Sequence, residues 1–141
     1  FATDYMKDAL NKIIGIGSGT TGIFYHQCGD HGQDYHLCED MPFPTGSVMH
    51  IAYDGQKPFD LIKAAKIYES KCCLMGNTDT ILAFNGTPQQ IYEQAYKDAM
   101  RYKHFKNGFF ASMACECPPM MSEANFRAFV QGSRDGGRMK E

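Results

Sequence analysis

Short apolar runs alternate along the chain with longer segments in which apolar residues recur at helical spacing. Three of these runs end next to glycine or aspartate, as buried strands commonly do. The runs predict strands over residues 21–26, 47–53, 71–76 and 108–114, and the periodic segments predict helices over residues 3–14, 58–70, 87–103 and from 122 onward. Because parallel strands need helical crossovers and are buried on both faces, this order predicts an α/β fold with a parallel sheet.

Local signals predict where several of these helices begin and end. Thr87 is the expected N-cap of one long helix, with Pro88 in its first turn and Gln90 completing a capping box. Pro58 is expected in the first turn of the preceding helix. The glycine-rich tail from Gly132 onward is expected to fray, because glycine is a poor helix former.

Composition and charge narrow the class of protein. The chain has 141 residues, of which 43% are hydrophobic and 21% charged, so it has ample material for a core. A formal net charge of -2, with no run rich in Lys or Arg, argues against a nucleic-acid surface. No apolar stretch approaches the roughly 18 residues of a membrane span. Six cysteines are too few for a disulfide-stapled secreted domain, so we expect reduced thiols and a cytoplasmic location.

The spacing of the predicted strands bears on the architecture. Successive strands begin 24 to 37 residues apart, which is compatible with the repeat of a (β/α)8 TIM barrel. A full barrel needs roughly 250 residues, so we expect residues 1–141 to form a single partial domain of about four βα units. The alternative is a small open sheet complete in itself. Neither a GxGxxG motif after the first strand nor a P-loop is present to support nucleotide binding by such a sheet.

Polar and metal-binding side chains are concentrated at the end of each predicted strand, where α/β folds form their sites. Because the carboxyl ends of parallel strands meet at one edge of the sheet, we expect these side chains to face a common bowl. They are His26, Gln27 and Cys28 at the first strand, Tyr53 and Asp54 at the second, Asn77 and Asp79 at the third, and Cys115, Glu116 and Cys117 at the fourth.

A zinc site is predicted from three of these residues. His26 and Cys28 are two positions apart on an extended segment and therefore lie on the same side, and Cys115 joins them from another strand end. An imidazole and two thiolates suit zinc, and three protein ligands leave open the fourth tetrahedral position that marks a catalytic zinc. The alternative is that Cys28 and Cys115 are small buried hydrophobic residues and that His26 is a core histidine.

The other cysteines are less favoured as metal ligands. His36 and Cys38 form a second His-x-Cys pair, but it lies in a polar connector with no strand before it. Cys117 is either an auxiliary ligand or part of a turn that leaves the bowl at Pro118. Cys72 and Cys73 lie away from the carboxyl end of their strand, so we expect them to pack in the core.

Several motifs, in their order and spacing, carry a resemblance to a known family. The segment 26–30 resembles a His-x-Cys-Gly motif, segment 76–79 resembles Gly-Asn-x-Asp, and segment 86–91 resembles a Gly-Thr-Pro-Glu-Glu-Val helix start. The segments 115–119 and 123–125 together resemble a Cys-x-x-x-Pro ending followed by Glu and Asn. With these motifs the chain resembles the C-terminal part of the uroporphyrinogen decarboxylase superfamily, and within it the cobalamin-dependent methyltransferase branch.

This resemblance implies a fold, a metal and a reaction. The family fold is a (β/α)8 barrel, and the resemblance implies that this chain supplies strands five to eight, the C-terminal half. The methyltransferases resembled bind zinc through residues that match His26, Cys28 and Cys115, and use it to bind a thiol such as coenzyme M. The resemblance therefore implies that a methyl group moves from methylcobalamin, carried on a partner corrinoid protein, to a small thiol substrate.

Asp54, Asn77 and Asp79 are the remaining candidate catalytic residues. They are expected to orient a ligating imidazole or the incoming substrate, or else to cap turns at the rim of the barrel. The chain departs from the family pattern at Thr80, where proline is common, and at Cys117, where the residue is usually apolar. Neither departure removes a proposed zinc ligand.

Other classes of function are kept as alternatives. A uroporphyrinogen decarboxylase-like enzyme would carry a histidine-containing, glycine-rich stretch where this chain has Ala114-Cys115-Glu116. A pterin-dependent methyltransferase would not need a zinc-activated thiol, and a non-catalytic fragment would close a structural metal site with Cys117 or Cys38. Half a barrel exposes two sheet edges, so we also expect a partner, either the N-terminal half of the barrel or a homo-oligomer mate.

Overall fold

The computed structural model describes residues 2–17, 22–68 and 70–138, which contain five α-helices, one 3₁₀ helix and six strands. The α-helices are α1 (Ala2–Ile16), α2 (Leu61–Tyr68), α3 (Thr80–Asn85), α4 (Pro88–Tyr102) and α5 (Glu123–Arg138). The strands are β1 (Phe24–His26), β2 (Val48–His50), β3 (Tyr53–Asp54), β4 (Lys57–Pro58), β5 (Cys73–Thr78) and β6 (Phe109–Met113), and the 3₁₀ helix is Tyr35–Cys38.

Four of these strands form one parallel sheet with the order β1-β2-β5-β6. Strands that are neighbours in this sheet also follow one another along the chain, apart from the small antiparallel pair β3 and β4. α2 connects β2 to β5, and α3 and α4 connect β5 to β6. This sequential parallel order with helical crossovers is that of a partial (β/α)8 barrel. The prediction of an α/β fold is confirmed.

The two faces of the sheet have different surroundings. Met49 of β2 and Leu74 of β5 are fully buried and belong to the hydrophobic core, together with Tyr68 of α2. Alternate residues of a strand face the opposite way, and on that side Phe24 is 60% exposed and Phe110 is 59% exposed. The helices therefore cover one face of the sheet, whereas aromatic side chains at both ends of the other face lie open to solvent.

Thiol and hydroxyl groups of the core are buried and hydrogen-bonded. Cys38 and Cys72 are each 2% exposed, which confirms that Cys72 packs in the core, whereas Cys73 is only half-buried. Burial raises the pKa of the Cys72 thiol to about 11, so this thiol is neutral at physiological pH. The Tyr68 hydroxyl donates to the Tyr35 carbonyl, and the Tyr35 hydroxyl accepts a hydrogen bond of 2.7 Å from the Ala52 amide. These contacts tie the 3₁₀ helix to α2 and to the segment after β2.

The start of α2 differs from the prediction. Pro58 lies in β4, where it pairs with Tyr53 of β3, and not in the first turn of the helix. The helix begins at Leu61, preceded by Asp60, whose carboxylate accepts a hydrogen bond of 3.0 Å from the Ile62 amide. A proline suits both a helix start and a short edge strand, because neither requires its missing amide donor. In this structure Pro58 belongs to the β3–β4 hairpin, and Asp60 caps the helix.

The structure also differs from the prediction after β5. This strand continues two residues further than predicted, so Asn77 lies inside it. α3 follows at once and was not predicted, and Asp79 caps it by accepting a hydrogen bond of 2.8 Å from the Ile81 amide. Gly76 has a φ of +143°, and a side chain there would come within 2.9 Å of the Ile51 carbonyl oxygen. Glycine at this position therefore permits the close approach of β5 to the backbone just after β2.

The predicted start of α4 is confirmed in detail. The Thr87 hydroxyl accepts a hydrogen bond of 3.3 Å from the Gln90 amide, and the Gln90 side chain accepts one of 2.9 Å from the Thr87 amide. This reciprocal arrangement is the capping box that the sequence indicates, with Pro88 in the first turn. Apolar residues on one side of the helix, among them Ile91 and Ala95, are buried.

Residues 132–138 are helical, so the prediction that the glycine-rich tail frays is wrong for them, and residues 139–141 of that tail lie outside the described part of the chain. α5 continues to Arg138 and packs along α4. A side chain at Gly132 would collide with the Tyr92 carbonyl of α4, and one at Gly136 would collide with the Tyr96 carbonyl. The glycines therefore permit a close helix–helix contact, and packing outweighs the low helix propensity of glycine.

Candidate metal centre

The carboxyl ends of the two outer strands of the sheet supply the candidate ligands. His26 is the last residue of β1, and Cys28 follows it by two positions on an extended segment. On the other side, the Ala114 amide continues the pairing beyond β6 by donating a hydrogen bond of 2.8 Å to the Thr78 carbonyl. Cys115 comes next along the chain, so it is delivered to the same edge of the sheet.

The three ligand atoms are close together. The Sγ atoms of Cys28 and Cys115 are 3.4 Å apart, Cys115 Sγ is 3.8 Å from His26 Nε2, and all three lie within 4.8 Å of one another. In a tetrahedral zinc site, with Zn–S bonds of about 2.3 Å and Zn–N bonds of about 2.0 Å, two sulfurs lie about 3.8 Å apart and a sulfur and a nitrogen about 3.5 Å apart. The donor types and their spacing thus fit zinc.

Within the described residues, no fourth Cys, His, Asp or Glu joins this group. Cys117 is exposed, and its Sγ atom lies 3.7 Å from Met121 Sδ. Cys38 is buried in the core, where its Sγ atom contacts the Gln27 side chain. A metal held by His26 and the two cysteines would therefore have a coordination position available to a small molecule.

The Cys28 thiol is exposed to solvent and is affected by its neighbours. The hydrogen bond to Cys115 is the main cause that raises the pKa of the Cys28 thiol, and the charges of Cys115 and Glu116 raise it further. Two thiolates at this distance repel each other in the absence of a cation. Coordination to a metal ion removes this conflict, because the ion deprotonates both thiols and neutralises their charge.

A small strand holds the loop that carries Cys28. The Tyr53 amide donates to the Gly29 carbonyl across 3.3 Å, and the His31 amide donates to the Tyr53 carbonyl across 3.1 Å. The His31 ring adds a contact of 3.0 Å between its Nε2 atom and the Cys28 carbonyl oxygen. The position of Cys28 therefore depends on β3, whereas the sequence predicted a single strand over residues 47–53.

His50 is a further residue of this site that the sequence analysis did not identify. It is only 5% exposed, and its ring lies 4.5 Å from the His26 ring, centroid to centroid. Its Nε2 atom donates to the Met113 carbonyl across 2.7 Å, and burial lowers the pKa of the imidazole. A signal was present in the sequence, because His50 lies in the second predicted strand as His26 lies in the first. The structure pairs the two residues in the β1–β2 register.

An open cavity of about 440 Å³ adjoins the three ligands. Its lining includes the apolar side chains Phe24 and Met75, the hydroxyl of Ser112, and the residues Glu116 and Cys117. The cavity opens on the face of the sheet that the helices leave uncovered. A small molecule in it would lie beside the ligand atoms.

The structure does not bring the candidate catalytic residues Asp54, Asn77 and Asp79 to the sulfur atoms. Asn77 is buried, and its side-chain amide donates to the Phe59 carbonyl. Asp79 caps α3, and both residues line a different cavity, of about 410 Å³, together with Asp98. Asp54 is an exposed residue of β3. The expectation of one bowl therefore holds for the ends of β1 and β6 but not for the end of β5.

Comparison with known proteins places the chain in a family. The family model described as Uroporphyrinogen decarboxylase (URO-D) matches residues 1–135. Neither the curated proteins nor the solved structures include a significant match. In the described part of the chain, no helix is both long enough and apolar enough to cross a membrane. Because the family model matches almost the whole length, and the parallel sheet is that of a partial barrel, this chain belongs to the uroporphyrinogen decarboxylase family.

Proposed function

We propose that this protein is a zinc-dependent methyltransferase that moves a methyl group from a methylated corrinoid to a thiol such as coenzyme M. Its family is one of enzymes, and the proposal selects one reaction within it. The observation that carries the proposal is the convergence of His26 Nε2, Cys28 Sγ and Cys115 Sγ within 4.8 Å, beside an open cavity. Decarboxylation does not call for two thiols and an imidazole at metal-binding distances.

The residues of the chain have distinct parts in this function. His26, Cys28 and Cys115 would hold the zinc, which when bound lowers the pKa of a coordinated thiol and so supplies a nucleophile at neutral pH. His50 packs against the His26 ring and restricts its orientation. The adjoining cavity, which is open to solvent, would admit the thiol substrate.

Asp54, Asn77 and Asp79 are proposed to act as positioning residues. Asp79 accepts a hydrogen bond of 3.2 Å from the Tyr53 hydroxyl, and Tyr53 in turn holds the Cys28 loop through its backbone. Asn77 joins β5 to the start of α2 through the Phe59 carbonyl. None of these contacts reaches the sulfur atoms, so an effect on catalysis would pass through the backbone.

Two kinds of partner are part of the proposal. A corrinoid protein would present its methyl group at the open mouth of the cavity, which faces solvent. The exposed rings of Phe24 and Phe110 on the uncovered face support a second contact, with the N-terminal half of a barrel or with another copy of the chain. Both contacts would bury apolar surface next to the candidate metal site.

A structural metal site is the second candidate, and one observation favours it. Cys117 lines the same cavity as the three ligands, so its thiol is a possible fourth ligand after a local rearrangement. A closed site of this kind would bind zinc equally well but would leave no position for a substrate thiol.

The first test is the metal content of single-cysteine variants. We expect about one zinc per chain in the unaltered protein, and loss of that zinc in Cys28→Ser and in Cys115→Ser. Cys73→Ser is the matched control, because this half-buried thiol bonds to the Leu74 carbonyl at the far end of β5. Zinc retained in both ligand variants would contradict the proposal.

The second test separates the catalytic site from the structural one. In the cobalt-substituted protein, a small thiol should change the absorption spectrum if it enters the coordination sphere. The same change is expected in Cys117→Ser. A spectrum that responds to thiols only after Cys117 is removed would favour the structural site.

A further inference from the structure

The charge distribution of the cavity bears on which thiol it accepts. Among the described residues of its lining, Glu116 is the only carboxylate, and there is no lysine or arginine. Glu116 directly follows Cys115 in the chain and lines the same cavity as Cys28. The carboxylate is exposed, so it is free to meet a group that enters from solvent.

The histidines near the cavity do not balance this charge. His50 is buried, and its Nε2 atom donates a hydrogen bond of 2.7 Å to the Met113 carbonyl, so the ring does not turn to a group in the cavity. His31 lies behind the Cys28 loop, and its Nδ1 atom is 3.2 Å from an Asp34 carboxylate oxygen. Any positive charge on His31 is therefore matched by Asp34 and is not available to a substrate.

Metal binding and substrate binding leave the site negative. A zinc ion carries two positive charges, whereas the thiolates of Cys28 and Cys115 and that of an incoming substrate carry three negative charges. The coordinated group thus has a net charge of minus one, and Glu116 adds a second negative charge beside it. A substrate whose far end is anionic would add a third.

We infer that Glu116 selects the acceptor by charge, favouring a small thiol whose far end carries an ammonium group over one whose far end carries a sulfonate or carboxylate. This inference rests on the proposed function. It keeps a small thiol as the acceptor but departs from the example that the family resemblance implies, because coenzyme M carries a sulfonate. A neutral thiol is expected to bind with intermediate affinity.

The test compares three thiols that share a two-carbon spacer and differ in charge, namely cysteamine, 2-mercaptoethanol and 2-mercaptoethanesulfonate. Dissociation constants are read from the absorption spectrum of the cobalt-substituted protein at low ionic strength. We measure the ratio of the dissociation constant of 2-mercaptoethanesulfonate to that of cysteamine. This ratio should be about tenfold larger in the unaltered protein than in Glu116→Gln. One charge near an exposed carboxylate changes affinity by roughly threefold, and the two thiols carry charges of opposite sign. The three thiols differ in acidity, but this difference affects the affinity ratio equally in the unaltered protein and in Glu116→Gln, so it drops out of the comparison.

Glu93→Gln is the matched control, because Glu93 is an exposed carboxylate of α4 outside this cavity. It should leave the ratio of the two affinities unchanged. An equal ratio in the unaltered protein and in Glu116→Gln would overturn the inference while leaving thiol binding intact. Failure to bind cobalt, or a spectrum that no thiol alters, would instead contradict the proposed function.

Discussion

The Tyr53 hydroxyl donates a hydrogen bond of 3.2 Å to the Asp79 carboxylate. Through this contact the N-terminus of α3 is joined to β3, since the same hydroxyl accepts a hydrogen bond of 3.0 Å from the Thr80 amide. The backbone of Tyr53 meanwhile holds Gly29 and His31 on either side of the loop after Cys28. Tyr53, which the sequence places at the end of a predicted strand, thus connects segments 26–30 and 76–79, both of which carry family motifs.

Tyr53→Phe is expected to weaken zinc binding without removing a ligand. The substitution deletes the hydroxyl but keeps the ring and the backbone pairing, so the Cys28 loop loses only its connection to α3. We expect a fall in zinc affinity of about two- to tenfold, less than the roughly 10- to 100-fold seen when a direct partner of a ligand is lost. The affinity is measured by competition with a chromophoric chelator.

Tyr92→Phe provides the control for this variant. It also removes a hydrogen-bonded hydroxyl, which donates to Asp135 across 3.0 Å, but at the α4–α5 contact. Its zinc affinity should equal that of the unaltered protein. Equal losses in both variants would show that a general loss of stability, and not the position of the Cys28 loop, is responsible.

The metal-free protein is expected to form a disulfide between Cys28 and Cys115. Their Sγ atoms are 3.4 Å apart, so a modest movement brings them to the roughly 2.05 Å of a disulfide bond. Treatment with diamide should remove two hydrogens and link the two peptides, as mass spectrometry of a digest would show. Bound zinc should slow the reaction at least about tenfold, because the thiolates must first leave the metal.

Cys117 supplies the internal comparison in this experiment. It is exposed and lies two residues after Cys115, yet its Sγ atom is directed to Met121. A dominant link between Cys28 and Cys117, or equal rates with and without zinc, would contradict the geometry of the site.

Asp98→Asn is expected to stabilise the protein at neutral pH. Asp98 is 8% exposed, and burial is the main cause that raises the pKa of its carboxyl group, despite hydrogen bonds from Thr78 and Gln94. A carboxyl group whose pKa is higher in the folded protein contributes stability below its unfolded-state pKa, near 4, and loses that contribution as pH rises through the folded-state value. The charged form is therefore the costly one.

The measurement is urea unfolding of both proteins between pH 4 and pH 7.5. The free energy of unfolding of the D98N variant, relative to the unaltered protein, should rise with pH over this range. Asp8→Asn, an exposed change in α1, should show no such trend. A relative stability of D98N that falls as pH rises would contradict the assignment.

Gly132→Ala is expected to destabilise the protein by about 1–3 kcal/mol, because the added methyl group collides with the Tyr92 carbonyl and forces α4 and α5 apart. Gly137→Ala is the matched control in the same helix, since nothing lies within 4 Å of the added carbon atom. That control should be neutral or stabilise the protein by up to about 1 kcal/mol, through helix propensity. Urea unfolding distinguishes the two, and a stabilised G132A variant would argue against the close helix contact.

The parts of this fold that the sequence predicts are those with strong local signals. The apolar runs indicate a parallel sheet, the Thr87 capping box marks the start of α4, and the alternation of an extended segment places His26 beside Cys28. Cys115 could be added only because strand ends in a parallel sheet meet at one edge. Each of these predictions rests on a rule that acts over a few residues or on the topology of the whole sheet.

The features of the fold and of the site that the sequence does not predict depend on contacts between distant segments. β3 and β4 are two residues long each, too short to show periodicity, so Pro58 was assigned to a helix. Gly132 resembles a helix breaker until the neighbouring helix is known to need the space. Asp79 occupies a strand end in the sequence, but the length of β5 turns it into a helix cap and away from the sulfur atoms.

His26 is the last residue of β1, Cys28 lies just beyond it, and Cys115 lies just beyond β6. These two strands are the outer strands of a four-stranded sheet. A metal ion held by these three residues would link the two edges of the curved sheet, because it would join cysteines that are 87 residues apart in the chain. Metal affinity and sheet curvature are then linked, and linkage is reciprocal. A partner that flattens the sheet would weaken metal binding, and a bound metal would oppose flattening by the same free energy. The curvature of the sheet is therefore itself a determinant of metal affinity.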